Sequence, residues 1–173
     1  CSIRDTFTKK KISDLYLKWY GIELNPDRII VTSGSSGAFI LAFTSLFDTG
    51  ARVGLGAPGY PSYRQILKAM GLEPIILETT SKEKFQVTSN STFGSELDGL
   101  LIASPANPTG SMLNFNSLQS LINKCADNDI SFISDEIYHG IEYQEKAVSA
   151  LEITDNCYVI NSFSKYFSMT GWR

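Results

Sequence analysis

Apolar residues along this chain follow two alternating patterns, one at helical spacing and one of short continuous runs. Ile12, Leu15, Tyr16, Trp19 and Tyr20 recur every three or four residues, and Gly21 follows where a helix cap is expected. Residues 28–32 (R-I-I-V-T) read as a buried strand. A Gly-Ser-Ser-Gly turn at 34–37 leads into an apolar helix from about residue 38 to 47. Residues 52–55 read as a second strand. Tyr63, Ile66, Leu67 and Met70 then mark one face of a helix that ends at Gly71. Residues 74–77 are a third strand, and Pro74 at its start suits a sheet edge. Residues 81–96 are polar and weakly patterned, as in a loop. Further strands are expected at 100–103, 131–134 and 158–160, with a helix carrying Leu118, Leu121, Ile122 and Cys125 between the first two.

Strands alternating with helices predict an α/β fold, a three-layer αβα arrangement around a mainly parallel sheet. Ligands of such sheets bind beyond the carboxyl ends of the strands. Special residues cluster at those ends: Gly34 to Gly37, Tyr60, Asn107, Asp135 with Tyr138, and Ser162 with Lys165. Five strand ends sharing such residues is hard to explain by packing alone.

Composition narrows the function classes. The net charge of −3 argues against nucleic acid or an anionic membrane as the main partner. No apolar run is long enough to span a bilayer, and no signal-peptide pattern opens the chain. Cys1, Cys125 and Cys157 are an odd count without metal-like spacing, so they read as reduced thiols in a cytoplasmic protein. With one histidine, His139, and scattered cysteines, no metal site can be assembled. His139 reads as a loop residue beside Tyr138 rather than a general base.

Five motifs carry the candidate chemistry. Ser162-Phe163-Ser164-Lys165-Tyr166-Phe167-Ser168-Met169-Thr170-Gly171-Trp172-Arg173 sets a lysine just past a strand, among serines and aromatics. Most lysines are simply solvated, and one alone would suggest nothing more. Thr32-Ser33-Gly34-Ser35-Ser36-Gly37-Ala38 is either an ordinary turn or a phosphate cradle at a helix N-terminus. Ala57-Pro58-Gly59-Tyr60-Pro61-Ser62-Tyr63 is a proline-rich loop with two aromatics, of which Tyr63 falls on the apolar helix face and reads as core. Ser104-Pro105-Ala106-Asn107-Pro108-Thr109-Gly110 is a rigid turn, with prolines restricting the backbone around Asn107. Ser134-Asp135-Glu136-Ile137-Tyr138-His139-Gly140 ends a strand in an acid, and a buried acid needs a partner.

Taken together, the runs holding Asn107, Asp135 with Tyr138, and Lys165 with Arg173 resemble the class I/II pyridoxal-phosphate-dependent aminotransferases of the aspartate aminotransferase family, fold type I. The resemblance covers about residues 12–173. It implies a Schiff base between Lys165 and pyridoxal 5′-phosphate. It implies phosphate contacts from Ser35, Ser36, Ser162 and Arg173, and stacking of Tyr60 on the pyridine ring. It further implies that Asn107 and Tyr138 hydrogen-bond the phenolic oxygen, and that Asp135 keeps the ring nitrogen protonated. Lysine suits a Schiff base, and burial among apolar groups would lower its pKa. Arginine offers a planar fork to phosphate. Glu136 is typical of the family but has no assigned role.

By the same resemblance, residues 1–173 are an incomplete large cofactor-binding domain. An N-terminal segment and a C-terminal small domain, with the arginine for the substrate carboxylate, would lie outside it. A strand expected after Arg173 would lie between the strand at 28–32 and the last one here, so the piece alone is expected to fold poorly and be inactive. The implied activity is transamination between an L-amino acid and a 2-oxo acid, by a homodimer when full length. Two alternatives stay open. One is a carbon–sulfur β-lyase on the same fold. The other is the aminotransferase-like sensor domain of a transcription regulator.

Overall fold

The computed structural model describes residues 3–91, 93 and 96–172, with side chains from residue 6 onward. It divides into two compact units, residues 1–33 and 34–173.

The first unit is the helix α1 (Ile3–Tyr20) and the segment after it. Gly21, at φ 73°, ends the helix in the left-handed conformation that glycine tolerates best. Ser13 Oγ donates to the Leu24 carbonyl at 2.6 Å and draws the returning chain back to the helix. Asn25 caps a short 3-10 helix, Pro26–Arg28, through its side-chain oxygen. Residues 28–32 do not form the expected strand, Arg28 belonging to the 3-10 helix. Ile29 is extended and buried, but the segment joins no ladder among the described residues, and Ile30 is 68 % exposed. Apolar, β-branched residues favour extended backbone, yet a strand exists only where a neighbour pairs with it.

The second unit is built on five strands, β1 (Arg52–Ala57), β2 (Glu73–Glu78), β3 (Gly99–Ala103), β4 (Ser131–Asp135) and β5 (Tyr158–Ile160). They run in the order β2-β1-β3-β4-β5, and every pair is parallel. β2 lies at an edge, as Pro74 suggested. The register aligns Leu55, Leu101 and Ile133 in one row across the sheet. Side chains alternate between faces along each strand, so this row looks to one side and Leu100, Ile102 and Phe132 to the other.

Each face is covered by helices. α2 (Gly34–Leu46) and α3 (Pro61–Ala69) bury Phe39, Phe43, Tyr63 and Leu67 against Val53, Leu55, Leu101 and Ile133. On the opposite face α4 (Phe115–Ala126) buries Leu118, Leu121, Ile122 and Cys125 against Leu100, Ile102 and Phe132. Each fully buried leucine or isoleucine contributes about 1.5–3 kcal/mol, so these two layers hold the sheet. At Gly99 a Cβ would lie 2.2 Å from Cζ of Phe47, so the Phe47 ring occupies the space that a side chain there would need.

α2 begins at Gly34, four residues earlier than expected. Gly34, at φ 75°, turns the chain into the helix, and Ser35 and Ser36 form its first turn rather than a separate loop. Cys125 and Cys157 are free thiols, and burial pushes that of Cys125 up to about 12. Among the described residues, no helix is long and apolar enough to cross a membrane.

Candidate active site

The winding of the sheet reverses at one place. The chain leaves β1 to form β2 on one side, then crosses to form β3 on the other side of β1. Where the winding reverses, the connections leaving adjacent strands diverge and a crevice opens beyond their carboxyl ends. A pocket lies there, lined by Gly56, Pro58, Tyr60, Tyr63, Ala103 and Asn107.

Tyr60 is delivered by the loop after β1. A Cβ on Gly59 would lie 2.5 Å from the carbonyl oxygen of Gly56, so only glycine allows the chain to fold back so tightly before Tyr60. Pro61 then starts α3, where its missing N–H costs nothing. Tyr60 keeps 42 % of its surface exposed and meets Tyr63 edge-on, with ring centres 5.4 Å apart.

Asn107 sits in the turn after β3. Ala106 N–H donates to the Ser111 carbonyl at 2.9 Å, and Gly110 N–H to that of Ala106 at 2.8 Å, closing the loop. Buried Gln86 reaches in from the preceding segment, with Nε2 donating to the carbonyls of Ala103 (3.1 Å) and Ser111 (2.9 Å) at the two ends of the turn. Asn107 Nδ2 thereby comes to 3.4 Å from the hydroxyl of Tyr138, on the segment after β4. Lys165, beyond β5, completes this group with Nζ 5.3 Å from the centre of the Tyr138 ring.

Asp135, the last residue of β4, is 2 % exposed. Its Oδ1 accepts the Ile137 N–H at 3.1 Å, and its Oδ2 accepts a hydrogen bond from the hydroxyl of Tyr63. Burial pushes the carboxyl up to about 6, while these two hydrogen bonds pull against the rise. Burial, reinforced by the Asp135 charge, drives the Tyr63 phenol far above its ordinary value, so it remains a donor. Tyr63 is core, as its spacing indicated, and it is also the polar partner of Asp135, which its spacing did not reveal.

Glu136 acquires a place as well. It is fully buried, accepting from Ser134 Oγ at 3.0 Å, Ser149 Oγ at 2.8 Å and Ala150 N–H at 2.8 Å. Burial raises its pKa, and these donors and the nearby His139 oppose that. His139 lies in the turn segment after β4, as its sequence context indicated, and is buried there.

Other sequence-based expectations fare differently. Lys165 is exposed in this chain, not enclosed by apolar groups, because the residues around it (Tyr166, Phe167 and Ser168) are themselves exposed. Ser162 is half-buried, and its Oγ accepts the Ser164 N–H at 3.0 Å, a local turn bond. Ser35 and Ser36 occupy the first turn of α2, whose amides have no acceptor within the helix. Among the described residues, no hydrogen bond joins Ser35, Ser36 or Ser162 to the Asn107–Tyr138–Lys165 group. Arg173 lies outside the described residues. Among the described residues, no cluster of three metal-ligating side chains occurs.

Comparison with known proteins gives a consistent picture. A family model described as aminotransferase class I and II matches residues 3–173. The valine–pyruvate aminotransferase of Mycobacterium tuberculosis is 43 % identical over 162 residues, covering 91 % of this chain and 42 % of that protein. The aspartate aminotransferase of Thermotoga maritima is 34 % identical over 171 residues, covering 95 % of this chain and 44 % of that protein. A crystal structure of an aminotransferase from Mycobacterium tuberculosis superimposes with a TM-score of 0.92 at 40 % identity, covering 99 % of this chain and 45 % of that one. The chain thus spans less than half the length of the curated relatives it matches.

Proposed function

The chain belongs to the class I and II aminotransferases, and we propose that the protein containing it is a pyridoxal-phosphate-dependent transaminase that moves an amino group from an L-amino acid to a 2-oxo acid. Residues 1–173 are then part of its large, cofactor-binding domain, and the working form is a homodimer. The observation that carries the reading is the gathering of Tyr60, Asn107, Asp135, Tyr138 and Lys165 beyond the carboxyl ends of four neighbouring parallel strands.

The donor set suits pyridoxal phosphate by its chemistry. Asp135 is a buried carboxyl whose bonds to Tyr63 and Ile137 leave acceptor capacity unused, since an ionised carboxylate can accept about four. A cationic ring N–H supplies what such a group needs. Tyr60 offers an exposed aromatic face, worth about 0.5–1.5 kcal/mol beyond area burial when a ring stacks on it. When bound, the cofactor supplies an aldehyde carbon for amines and a protonated ring that takes up the electron pair released at the substrate Cα.

The chain's residues divide the remaining work. Lys165 Nζ would hold the cofactor through its aldehyde carbon and, as a free amine, would take the proton from the substrate Cα. Asp135 keeps the ring nitrogen protonated. Asn107 Nδ2 and the Tyr138 hydroxyl, 3.4 Å apart, donate to the phenolic oxygen. Ser35 and Ser36, at the N-terminus of α2, offer hydroxyl and amide donors to the phosphate, and Ser162 and Arg173 are assigned to the same group.

The test is the visible absorption spectrum of the full-length protein with pyridoxal phosphate, before and after adding amino acids. Valine with pyruvate is the first pair to assay, given the Mycobacterium tuberculosis relative. A yellow band that is lost in Lys165→Ala and converted to the pyridoxamine form by amino acids is expected. Ammonia and keto acid without that conversion would assign elimination instead, and a band independent of Lys165 would overturn the reading.

A further inference from the structure

We propose that Tyr63 is a positioning residue for this reaction, its hydroxyl fixing the orientation of the Asp135 carboxylate at the end of β4. The inference rests on the role given to Asp135 above.

The two residues come from different elements. Tyr63 lies in the first turn of α3, and Asp135 ends the strand two places across the sheet from the one that precedes α3. Asp135 shares the parity of Ile133 along β4, so its side chain emerges on the face that α2 and α3 cover. The Tyr63 ring is held there between Phe39 of α2, centre to centre 5.2 Å, and Tyr60, at 5.4 Å. These two ring contacts and the burial of Tyr63 restrict how far its hydroxyl can swing. With one carboxylate oxygen held by the Ile137 amide and the other by this phenol, rotation about the Asp135 side chain would break a buried hydrogen bond.

Packing alone does not account for a tyrosine at this position. The residue is 6 % exposed, and phenylalanine would bury the same ring without burying a hydroxyl. The three-residue spacing of Tyr60 and Tyr63 serves two purposes. Tyr60 remains open to a ligand, while Tyr63, nearly one helical turn on, reaches the acid behind it. The hydroxyl also opposes the rise that burial imposes on Asp135, favouring the charged form that a cationic N–H requires.

The experiment compares Tyr63→Phe, Asp135→Asn and the double variant in the full-length protein. The readouts are the 15N resonance of ring-labelled cofactor, the carboxyl titration of 13C-labelled Asp135 in the apo protein, and kcat and KM. In Tyr63→Phe, the apo titration of Asp135 should move to higher pH and the ring nitrogen should lose its proton at lower pH. Loss of one hydrogen bond to a charged group predicts kcat lower by roughly 10- to 100-fold, with KM little changed. Adding Tyr63→Phe to Asp135→Asn should cost nothing further. Wild-type titrations and kcat in Tyr63→Phe, with both lost in Asp135→Asn, would overturn this inference but leave the role of Asp135 standing. An unaltered ring-nitrogen signal in Asp135→Asn would overturn that role as well. If Tyr63→Phe does not fold, 3-fluorotyrosine at position 63 keeps the hydroxyl and makes it a stronger donor. The apo titration should then move to lower pH, and an unmoved titration would equally refute the inference.

Discussion

The imidazole of His139 lies 2.8 Å through Nε2 from the carbonyl oxygen of Ser104, and because a carbonyl only accepts, Nε2 carries the proton. This bond ties the segment after β4 to the turn after β3. The same ring has its Nδ1 3.7 Å from Glu136 Oε2, so the imidazole lies between the residue next to Asp135 and the turn that presents Asn107. His139→Ala should separate Asn107 from Tyr138. We expect cofactor affinity to fall about tenfold or more, with about 1–3 kcal/mol of stability lost. Equilibrium dialysis of cofactor and denaturant melts of the apo protein measure the two effects.

Glu136→Ala should be the more damaging change to the fold. It leaves the Ala150 amide and the hydroxyls of Ser134 and Ser149 without their buried acceptor. Hydroxyls can turn to other partners, but a backbone N–H cannot. A loss of about 3 kcal/mol or more is expected in urea unfolding. Glu136→Gln, whose carbonyl can still accept from Ala150, should recover much of it.

Stability should depend on pH through Asp135. Its carboxyl is raised from an ordinary 3.8 to about 6 in the fold, chiefly by burial. The folded state therefore holds the proton more tightly than the unfolded chain. The associated stability is fully present below about pH 4 and is lost as pH rises through 6, to a total of about 3 kcal/mol. Melts of the apo protein across this range should show the decline, and Asp135→Asn should remove the Asp135 share of it, leaving that of Glu136, whose carboxyl burial also raises.

Two glycines should separate stability from binding. Gly99→Ala forces a methyl into the Phe47 ring and should cost about 1–3 kcal/mol of stability. Gly59→Ala presses on the Gly56 carbonyl at the loop that delivers Tyr60. It should weaken cofactor binding more than it lowers the melting temperature, and calorimetry with and without cofactor distinguishes the two.

Much of this organisation is legible in the sequence because it is local. Asn107 stands between two prolines, Asp135 ends an apolar run, and Gly71 ends a helix pattern. Each of these is written within a few residues. What was not legible depends on partners far along the chain. Tyr63 has the spacing of a core residue, and periodicity registers its ring but not a hydroxyl aimed 72 residues ahead. Glu136 draws donors from residues 149 and 150, at no spacing that a local pattern encodes. Residues 28–32 have the composition of a strand, but composition does not supply a neighbour. The early start of α2 was hidden by glycine and serine, which suit a turn and the first turn of a helix equally well.

The reversal of winding between β1 and β3 separates two kinds of evolutionary constraint. The crevice is a consequence of the path the chain takes, and side chains such as Tyr60, Tyr63 and Asn107 then shape it. Substitution at the loop tips can therefore change which molecules are admitted while leaving the strand order untouched. Innovation in substrate choice and preservation of the scaffold fall to different stretches of the same polypeptide.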